Sequence, residues 1–176
     1  VIEKDGLRVG IFAFTRYLNA LNNLRDPRQP HVPMAPYSDD PLSRGYSEAQ
    51  LLEKVRAAAK ECDALVVTHH WGDEYRPLPR PDDQQLAWRL IEAGAIAVVG
   101  HHPHVLEPLQ TVVRPVGSEA LIAYSLGNLV SNQDMSKPER PKRDGLLMKF
   151  AIERVADGGT ELRDIEPVPV WTENVF

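Results

Sequence analysis

The segment AIAVVGHHPH, residues 95–104, joins a continuous apolar run directly to a cluster of three histidines. Residues 64–72, ALVVTHHWG, show the same arrangement earlier in the chain. Short, uninterrupted runs of Ala, Val, Ile and Leu are typical of strands that a parallel sheet buries on both faces. The two segments therefore predict two buried strands, each of which delivers polar side chains at its carboxyl end.

Two amphipathic helices are predicted around these strands. Ser47 and Asp82, each followed three residues later by a glutamine, form the capping-box pattern that opens a helix. The first helix is predicted to run to about Cys62, and Gly94 is predicted to end the second. A further apolar run at residues 7–14 predicts an earlier buried strand.

The second half of the chain changes from strand–helix units to successive strand-like segments. We expect consecutive antiparallel strands there, with turns at Gly117-Ser118 and at residues 157–159. The fold class is thus α/β, with strand–helix units followed by antiparallel strands, in one domain. The four predicted strands are residues 109–116, 120–125, 145–154 and 161–170.

Residues 16–45 are predicted to be irregular, because five prolines fall within a short part of this stretch and preclude strand pairing. An excursion of that length in a compact domain is often functional. We expect it to act as a lid beside the histidines and to move more than the sheet. His31, which lies within it, is interpreted as a solvated loop residue.

Composition excludes several classes of protein. Twenty basic and twenty-five acidic residues give a net charge of -5, without a Lys/Arg run that would follow a phosphate backbone, so nucleic acid is not an expected partner. A single cysteine excludes an internal disulfide. No run of about 18 apolar residues occurs, so we expect this chain to be soluble as it stands.

Five of the six histidines follow the two apolar strands directly. Ligands gather at the carboxyl edge of open α/β sheets, so His70, His102 and His104 are predicted to converge there as metal ligands. The alternative is that they are loop histidines satisfied by hydrogen bonds. Alternation along the chain points His69 and His101 elsewhere, towards second-sphere or substrate contacts.

Three segments carry a resemblance to a known family. VVTHHWGDEY, VVGHHPHVLEPL and IAYSLGNLV resemble the HWG-x-E-Y, G-x-H-P-H-V and Y-S-L-G-N-F signatures of capsule or poly-gamma-glutamate synthesis proteins of the CapA type. That family is similar in fold to calcineurin-like metallophosphoesterases. The resemblance implies that residues 1–176 form a single partial domain, the C-terminal part of a metallophosphoesterase-like α/β sandwich.

The resemblance also implies a site. It places metal ligands at His70, His102 and His104, in a centre of two divalent ions, Mn, Zn or Fe, in the complete domain. It implies catalytic candidates at His101, Glu74 and Asn128, of which the first two would orient water or the leaving group. Glu107 departs from the family pattern, which commonly has glutamine there.

The family's aspartate, glutamate and asparagine-histidine motifs, which supply the other half of the metal site, do not occur before Leu7. We therefore interpret Val1 as a cut into a longer domain. The chain alone is expected to bind metal weakly, to lack activity, and to self-associate through a sheet edge or face left exposed. Asp73 and Glu74 follow His70 too closely for both to be expected at a bridging position.

The function implied is that of a metal-dependent, phosphoesterase-type hydrolase in capsule or poly-gamma-glutamate biosynthesis. Its substrate would be the polymer or a phosphorylated small molecule, and its partners other components of the capsule synthesis machinery. The alternative is a non-catalytic polymer-binding or assembly component, because a fold does not establish an activity. Family resemblance implies that the full-length protein is extracytoplasmic and membrane-anchored at the cell envelope.

Overall fold

The two apolar segments that end in histidines pair with each other in parallel at the centre of a mixed sheet. A computed structural model describes residues 1–16, 32–37, 45–133 and 142–173. The elements are β1 (Ile2–Lys4), β2 (Leu7–Thr15), α1 (Glu48–Lys60), β3 (Ala64–His70), α2 (Pro81–Glu92), β4 (Ala95–His101), β5 (Leu109–Val113), β6 (Glu119–Ala123), β7 (Asp144–Arg154) and β8 (Thr160–Trp171).

The main sheet has the strand order β1-β2-β3-β4-β6-β5, and β7 and β8 form a separate ribbon. The four central strands, β2, β3, β4 and β6, are parallel to one another. The edge strands are antiparallel to them: β1 pairs with β2, and β5 pairs with β6. The predicted antiparallel pairing is confirmed for β5 with β6 and for β7 with β8. The parallel pairing of β6 with β4, and the strand β1, were not predicted from the sequence.

The sheet is covered on its two faces by different elements, which makes the architecture an α/β sandwich. Both helices pack on one face, where alternate strand residues and the apolar helix positions form the main core. The β7–β8 ribbon packs on the other face. Each fully buried aliphatic side chain contributes about 1.5–3 kcal/mol relative to exposure, so these layers fix the strand ends firmly. Strand residues of the main core include Phe14, Leu65, Val67, Val98 and Ile122; on the ribbon side, Ala64, Ile96, Ala97 and Leu121 meet Met148, Phe150 and Ile152.

The first helix begins as predicted and the second does not. Ser47 Oγ accepts a 3.3 Å hydrogen bond from Gln50 N, and the Gln50 side chain accepts a 2.9 Å bond from Ser47 N, which completes the capping box. The predicted capping box at Asp82 is wrong: Arg80 is the N-cap of α2 and makes no side-chain capping bond in the described chain. Pro81 occupies the first helical position, where a missing N–H costs nothing.

The predicted lid falls largely outside the described residues, as does His31. Of that stretch, residues 16, 32–37 and 45 are described. Residues 32–37 run beside the end of β2: Met34 forms a parallel bridge with Thr15, and Ala35 and Tyr37 are buried. Among the described helices, none has both the length and the apolar character that crossing a bilayer requires.

Candidate metal centre

The parallel register brings the two histidine clusters to the same edge of the sheet. His70, the last residue of β3, pairs with Thr15 of β2 on one side and with His101 of β4 on the other. The chain after β3 stays against β4, because Trp71 N donates a 3.1 Å hydrogen bond to His101 O. Side chains that follow the two strands therefore share one site.

Three predicted histidines and one predicted carboxylate meet there. The ring centroids of His70 and His102 are 4.5 Å apart, and those of His102 and His104 are 5.7 Å apart. Glu74, His102 and His104, which we call the candidate ligand group, offer ligand atoms that all lie within 4.8 Å of one another. The structure thus places the Glu74 carboxylate among the imidazoles, and His70 lies beside this group.

Glu74 reaches the imidazoles because the chain after Trp71 turns back sharply. Gly72 adopts a φ of 83° and Tyr75 a φ of 63°. The turn is closed by a 2.7 Å hydrogen bond from Tyr75 N to Pro103 O, which joins the loop after β3 to the loop after β4. Asp73 takes a different direction and pairs with Arg80 at 3.3 Å.

The backbone of the second histidine loop is strained. His102 has a φ of 105° and His104 a φ of 60°, values that cost a side-chain-bearing residue on the order of 1–3 kcal/mol each. Gly100 precedes this loop where a Cβ atom would lie 1.9 Å from Tyr124 O, so only glycine fits. Such strain persists where surrounding structure imposes it, and it is concentrated at functional sites.

Two of the imidazoles, those of His70 and His104, each make a hydrogen bond through Nδ1. Thr15 Oγ1 lies 3.0 Å from His70 Nδ1, and Asn128 Oδ1 lies 2.9 Å from His104 Nδ1. The Tyr75 ring stacks on His104, with centroids 6.0 Å apart. Both bonded imidazoles therefore direct Nε2 away from their hydrogen-bond partner.

The electrostatic environment favours the neutral form of two of these imidazoles, His70 and His102. Burial, with repulsion from His101 and His104, lowers the pKa of His70. Burial, followed by repulsion from His104, lowers the pKa of His102 to about 4. A neutral imidazole is the form that donates a nitrogen lone pair to a metal.

The remaining predicted residues lie around this group. His101 is exposed at the end of β4, on the rim of the site. Asn128 is buried behind His104 and does not line the open side. The expectation that His69 makes second-sphere or substrate contacts is wrong. Its side chain is buried in the core, with ring centroids 3.7 Å from Phe14 and 4.6 Å from Trp71, and among the described residues neither ring nitrogen has a hydrogen-bond partner.

Sequence reasoning missed the network that supports the loop after β3. Tyr37 accepts a 2.7 Å hydrogen bond from Gly72 N and donates one of 2.7 Å to Asp83 Oδ2, while Arg16 Nη2 donates to Asp83 Oδ1 at 3.4 Å. Arg16 and Asp83 are almost completely buried. A charged residue directly after an apolar strand, as at Arg16, was the available signal.

The donor atoms fit a divalent transition metal. Imidazole nitrogens with one carboxylate oxygen suit Zn, Fe or Mn, and an exposed side of the site leaves room for water or substrate. Glu74 is the exposed member of the candidate ligand group, and both histidines are half-buried. The carboxylate also supplies the negative charge that three neutral imidazoles lack.

Comparisons with known proteins agree on one family. Residues 1–133 match the family model described as "Bacterial capsule synthesis protein PGA_cap". The chain is 37% identical over 126 residues to the PGA biosynthesis protein CapA of Bacillus subtilis (strain 168), an alignment that covers 69% of this chain and 31% of that protein. It is 33% identical over 167 residues to the capsule biosynthesis protein CapA of Bacillus anthracis, covering 94% of this chain and 36% of that protein.

A more distant match is the "Probable polyglutamine synthesis accessory protein" of Mycobacterium tuberculosis (strain ATCC 25618 / H37Rv), 28% identical over 95 residues, which cover 54% of this chain and 23% of that protein. The chain spans about a third of the length of the two Bacillus proteins.

Proposed function

The chain belongs to the family of bacterial capsule synthesis proteins described as PGA_cap, and from this premise we propose that it takes part in the biosynthesis of a capsule polymer such as poly-gamma-glutamate. The relatives' names, which include PGA biosynthesis and capsule biosynthesis, support this proposal. The whole protein would act at the cell envelope, outside the cytoplasm and membrane-anchored, with other components of the capsule machinery.

Within that process, we propose that the histidine site is a divalent-metal centre of a phosphoesterase-type hydrolase. The observation that carries this proposal is the mutual approach, within 4.8 Å, of ligand atoms from Glu74, His102 and His104 at the carboxyl edge of the sheet. A bound divalent ion would polarise a phosphoryl or carbonyl oxygen and lower the pKa of a coordinated water.

The position of each residue in the site suggests its role in this proposal. Glu74 and the two half-buried histidines would hold the ion, and His70, whose ring lies 4.5 Å from that of His102, adjoins it as a further ligand. His101, exposed on the rim, would contact the substrate or its leaving group. The substrate would be the polymer or a phosphorylated small molecule.

A centre of two ions needs more negative charge than this group supplies. Two divalent cations held close together are normally bridged and balanced by several carboxylates. Among the described residues, Glu74 is the acidic member of the candidate ligand group. We therefore propose that the described residues hold a single ion, more weakly than the full-length protein does, and that a second would need carboxylates from elsewhere in the full-length protein.

The test combines metal content with turnover. The full-length protein and this chain would be loaded with Zn or Mn, analysed for bound metal by mass spectrometry, and assayed with bis-p-nitrophenyl phosphate and poly-gamma-glutamate. We expect metal-dependent turnover in the full-length protein and its loss in His102→Ala. The control is Asp73→Asn, which changes a neighbouring carboxylate that pairs with Arg80 instead.

Three results would contradict parts of the proposal. Bound metal without turnover of either probe would favour the non-catalytic, polymer-binding component over the hydrolase. Absence of bound metal in both proteins would overturn the metal centre itself. Equal stoichiometry and equal turnover in both proteins would show that this chain needs no further carboxylates.

A further inference from the structure

Asn128 is held by its whole amide group rather than by one atom. Its Oδ1 lies 2.9 Å from His104 Nδ1. Its Nδ2 donates to two backbone carbonyls, His104 O at 3.3 Å and Lys142 O at 2.8 Å. The residue is 8% exposed, so these bonds form where water competes little.

These contacts determine which amide atom faces the imidazole. Carbonyl oxygens only accept hydrogen bonds, so the atom directed at His104 O and Lys142 O must be the NH₂ nitrogen. A flipped amide would set its oxygen against two carbonyl oxygens. The atom next to His104 Nδ1 is therefore the amide oxygen, which has no proton to give.

The tautomer of His104 follows from this assignment. An oxygen that only accepts requires Nδ1 to carry the proton, and a neutral imidazole then has its lone pair on Nε2. His70 differs, because its Nδ1 partner at 3.0 Å is the Thr15 hydroxyl, which can either donate or accept. Of these two Nδ1 contacts, the one to His104 fixes the tautomer, because its partner can only accept.

We propose that Asn128 is a positioning residue that fixes His104 as the Nδ1-protonated tautomer and so presents Nε2 to the ion; this inference rests on the proposed metal centre. A hydrogen-bond partner behind a ligating histidine sets the orientation and basicity of the ring, and its loss typically costs about 10–100-fold in metal affinity. The contact acts through His104 and does not require Asn128 to touch the substrate.

The same amide joins the site to the β7–β8 ribbon. Lys142 lies two residues before the start of β7, and Asn128 N donates to Asp144 O at 3.3 Å. Gly127 forms an antiparallel bridge with Gly145, where a Cβ atom on either residue would collide with backbone. The two halves of the amide thus have separable tasks: the oxygen orients the imidazole, and the nitrogen attaches the loop to the ribbon.

The test separates these tasks with two substitutions. Asn128→Asp keeps an acceptor for Nδ1–H and removes the donor, whereas Asn128→Ala removes both. Zinc affinity would be measured by competition with a chromophoric chelator, and stability by urea unfolding. We expect both variants to be less stable, Asn128→Asp to keep its zinc affinity within about threefold, and Asn128→Ala to lose about 10–100-fold. Gln110→Ala, which removes from β5 an amide that is bonded to Tyr124, is the control and should leave zinc affinity unchanged.

A direct reading of the tautomer comes from long-range ¹H–¹⁵N NMR spectra of the metal-free, wild-type protein. We expect the Nδ1–H pattern for His104, and an Nε2–H pattern would overturn the inference even if the protein folds and binds zinc. Equal losses of zinc affinity in the two Asn128 variants would also overturn it. The Nδ1–H pattern in a protein that binds no zinc would support the tautomer assignment and refute the metal centre.

Discussion

Tyr37 donates a 2.7 Å hydrogen bond from its hydroxyl to Oδ2 of Asp83, and this contact anchors the segment before α1 to the first turn of α2. Burial, and secondly the nearby Asp83 carboxylate, raise the pKa of Tyr37, so the hydroxyl keeps its proton and acts as a donor. Because Gly72 N donates to the same hydroxyl at 2.7 Å, the loop that carries Glu74 rests on this pair.

Tyr37→Phe should therefore destabilise the protein. The substitution removes one hydrogen bond from the buried Asp83 carboxylate and one from Gly72 N, and a hydrogen bond to a charged group contributes about 1.5–3 kcal/mol. Urea unfolding would measure the loss. Tyr124→Phe is the matched control, since the Tyr124 hydroxyl makes a longer, part-buried bond of 3.3 Å to Gln110. Equal losses would contradict the importance assigned to the Tyr37 contact.

The backbone of His102 leads to a second prediction. At a φ of 105°, glycine is favoured over any residue with a Cβ atom, so His102→Gly should be more stable than His102→Ala by about 1 kcal/mol. Both variants lose the imidazole, so their thermal unfolding isolates the strain. At His101, which ends a β-strand, the same pair should rank in the opposite order. An identical ranking at both positions would show that strain does not decide the result.

Glu74→Gln should weaken zinc binding at least about tenfold, because the substitution replaces the one anionic member of the candidate ligand group with a neutral amide. Asp73→Asn, which changes the adjacent carboxylate, should have little effect since Asp73 pairs with Arg80 at the surface. Isothermal titration with zinc measures both. Equal effects would indicate a general electrostatic contribution and not ligation.

Glu107 predicts a pH dependence of stability. Its side chain is 6% exposed, and among the described residues neither carboxylate oxygen has a hydrogen-bond partner. Burial, followed by repulsion from Asp83 and Asp73, raises the pKa of Glu107 from its ordinary 4.5 to about 8. The folded state therefore prefers the protonated form, which is similar in shape to glutamine.

The sign of the effect follows from linkage. Below pH 4.5 Glu107 is protonated in both states and its burial costs least. As the pH rises towards 8 the unfolded state ionises first, so the free energy of unfolding falls, by an amount on the order of a few kcal/mol. Glu107→Gln should remove this decline. Urea titrations from pH 5 to about 8 would test it, and parallel curves for the two proteins would contradict it.

The fold could be predicted where local signals were strong. The apolar runs at residues 64–68 and 95–99 fall within β3 and β4, and Ser47 begins α1 as the capping box predicts. At α2 the preference of proline for the first helical position outweighed the Asp82 pattern. The insertion of β6 between β4 and β5 was not predictable, because strand order depends on pairing partners that are remote in sequence.

In the site, too, some features could be predicted from the sequence and others could not. Convergence of histidines from neighbouring strand ends follows from parallel topology and could be predicted. The reach of Glu74 could not, because it depends on two positive φ values and on the bond from Tyr75 N to Pro103 O. Nor does a sequence distinguish an asparagine that faces a substrate from one that, like Asn128, supports a histidine from behind.

The placement of α2 between β3 and β4 has a consequence for the order of folding. His70 and His102 lie on either side of this crossover, and parallel strands pair only after the intervening helix has closed back onto the sheet. A nascent or partly folded chain therefore has no assembled cluster with which to capture a metal ion. Metal uptake at the proposed centre should therefore be a late event that follows closure of the β3–α2–β4 unit.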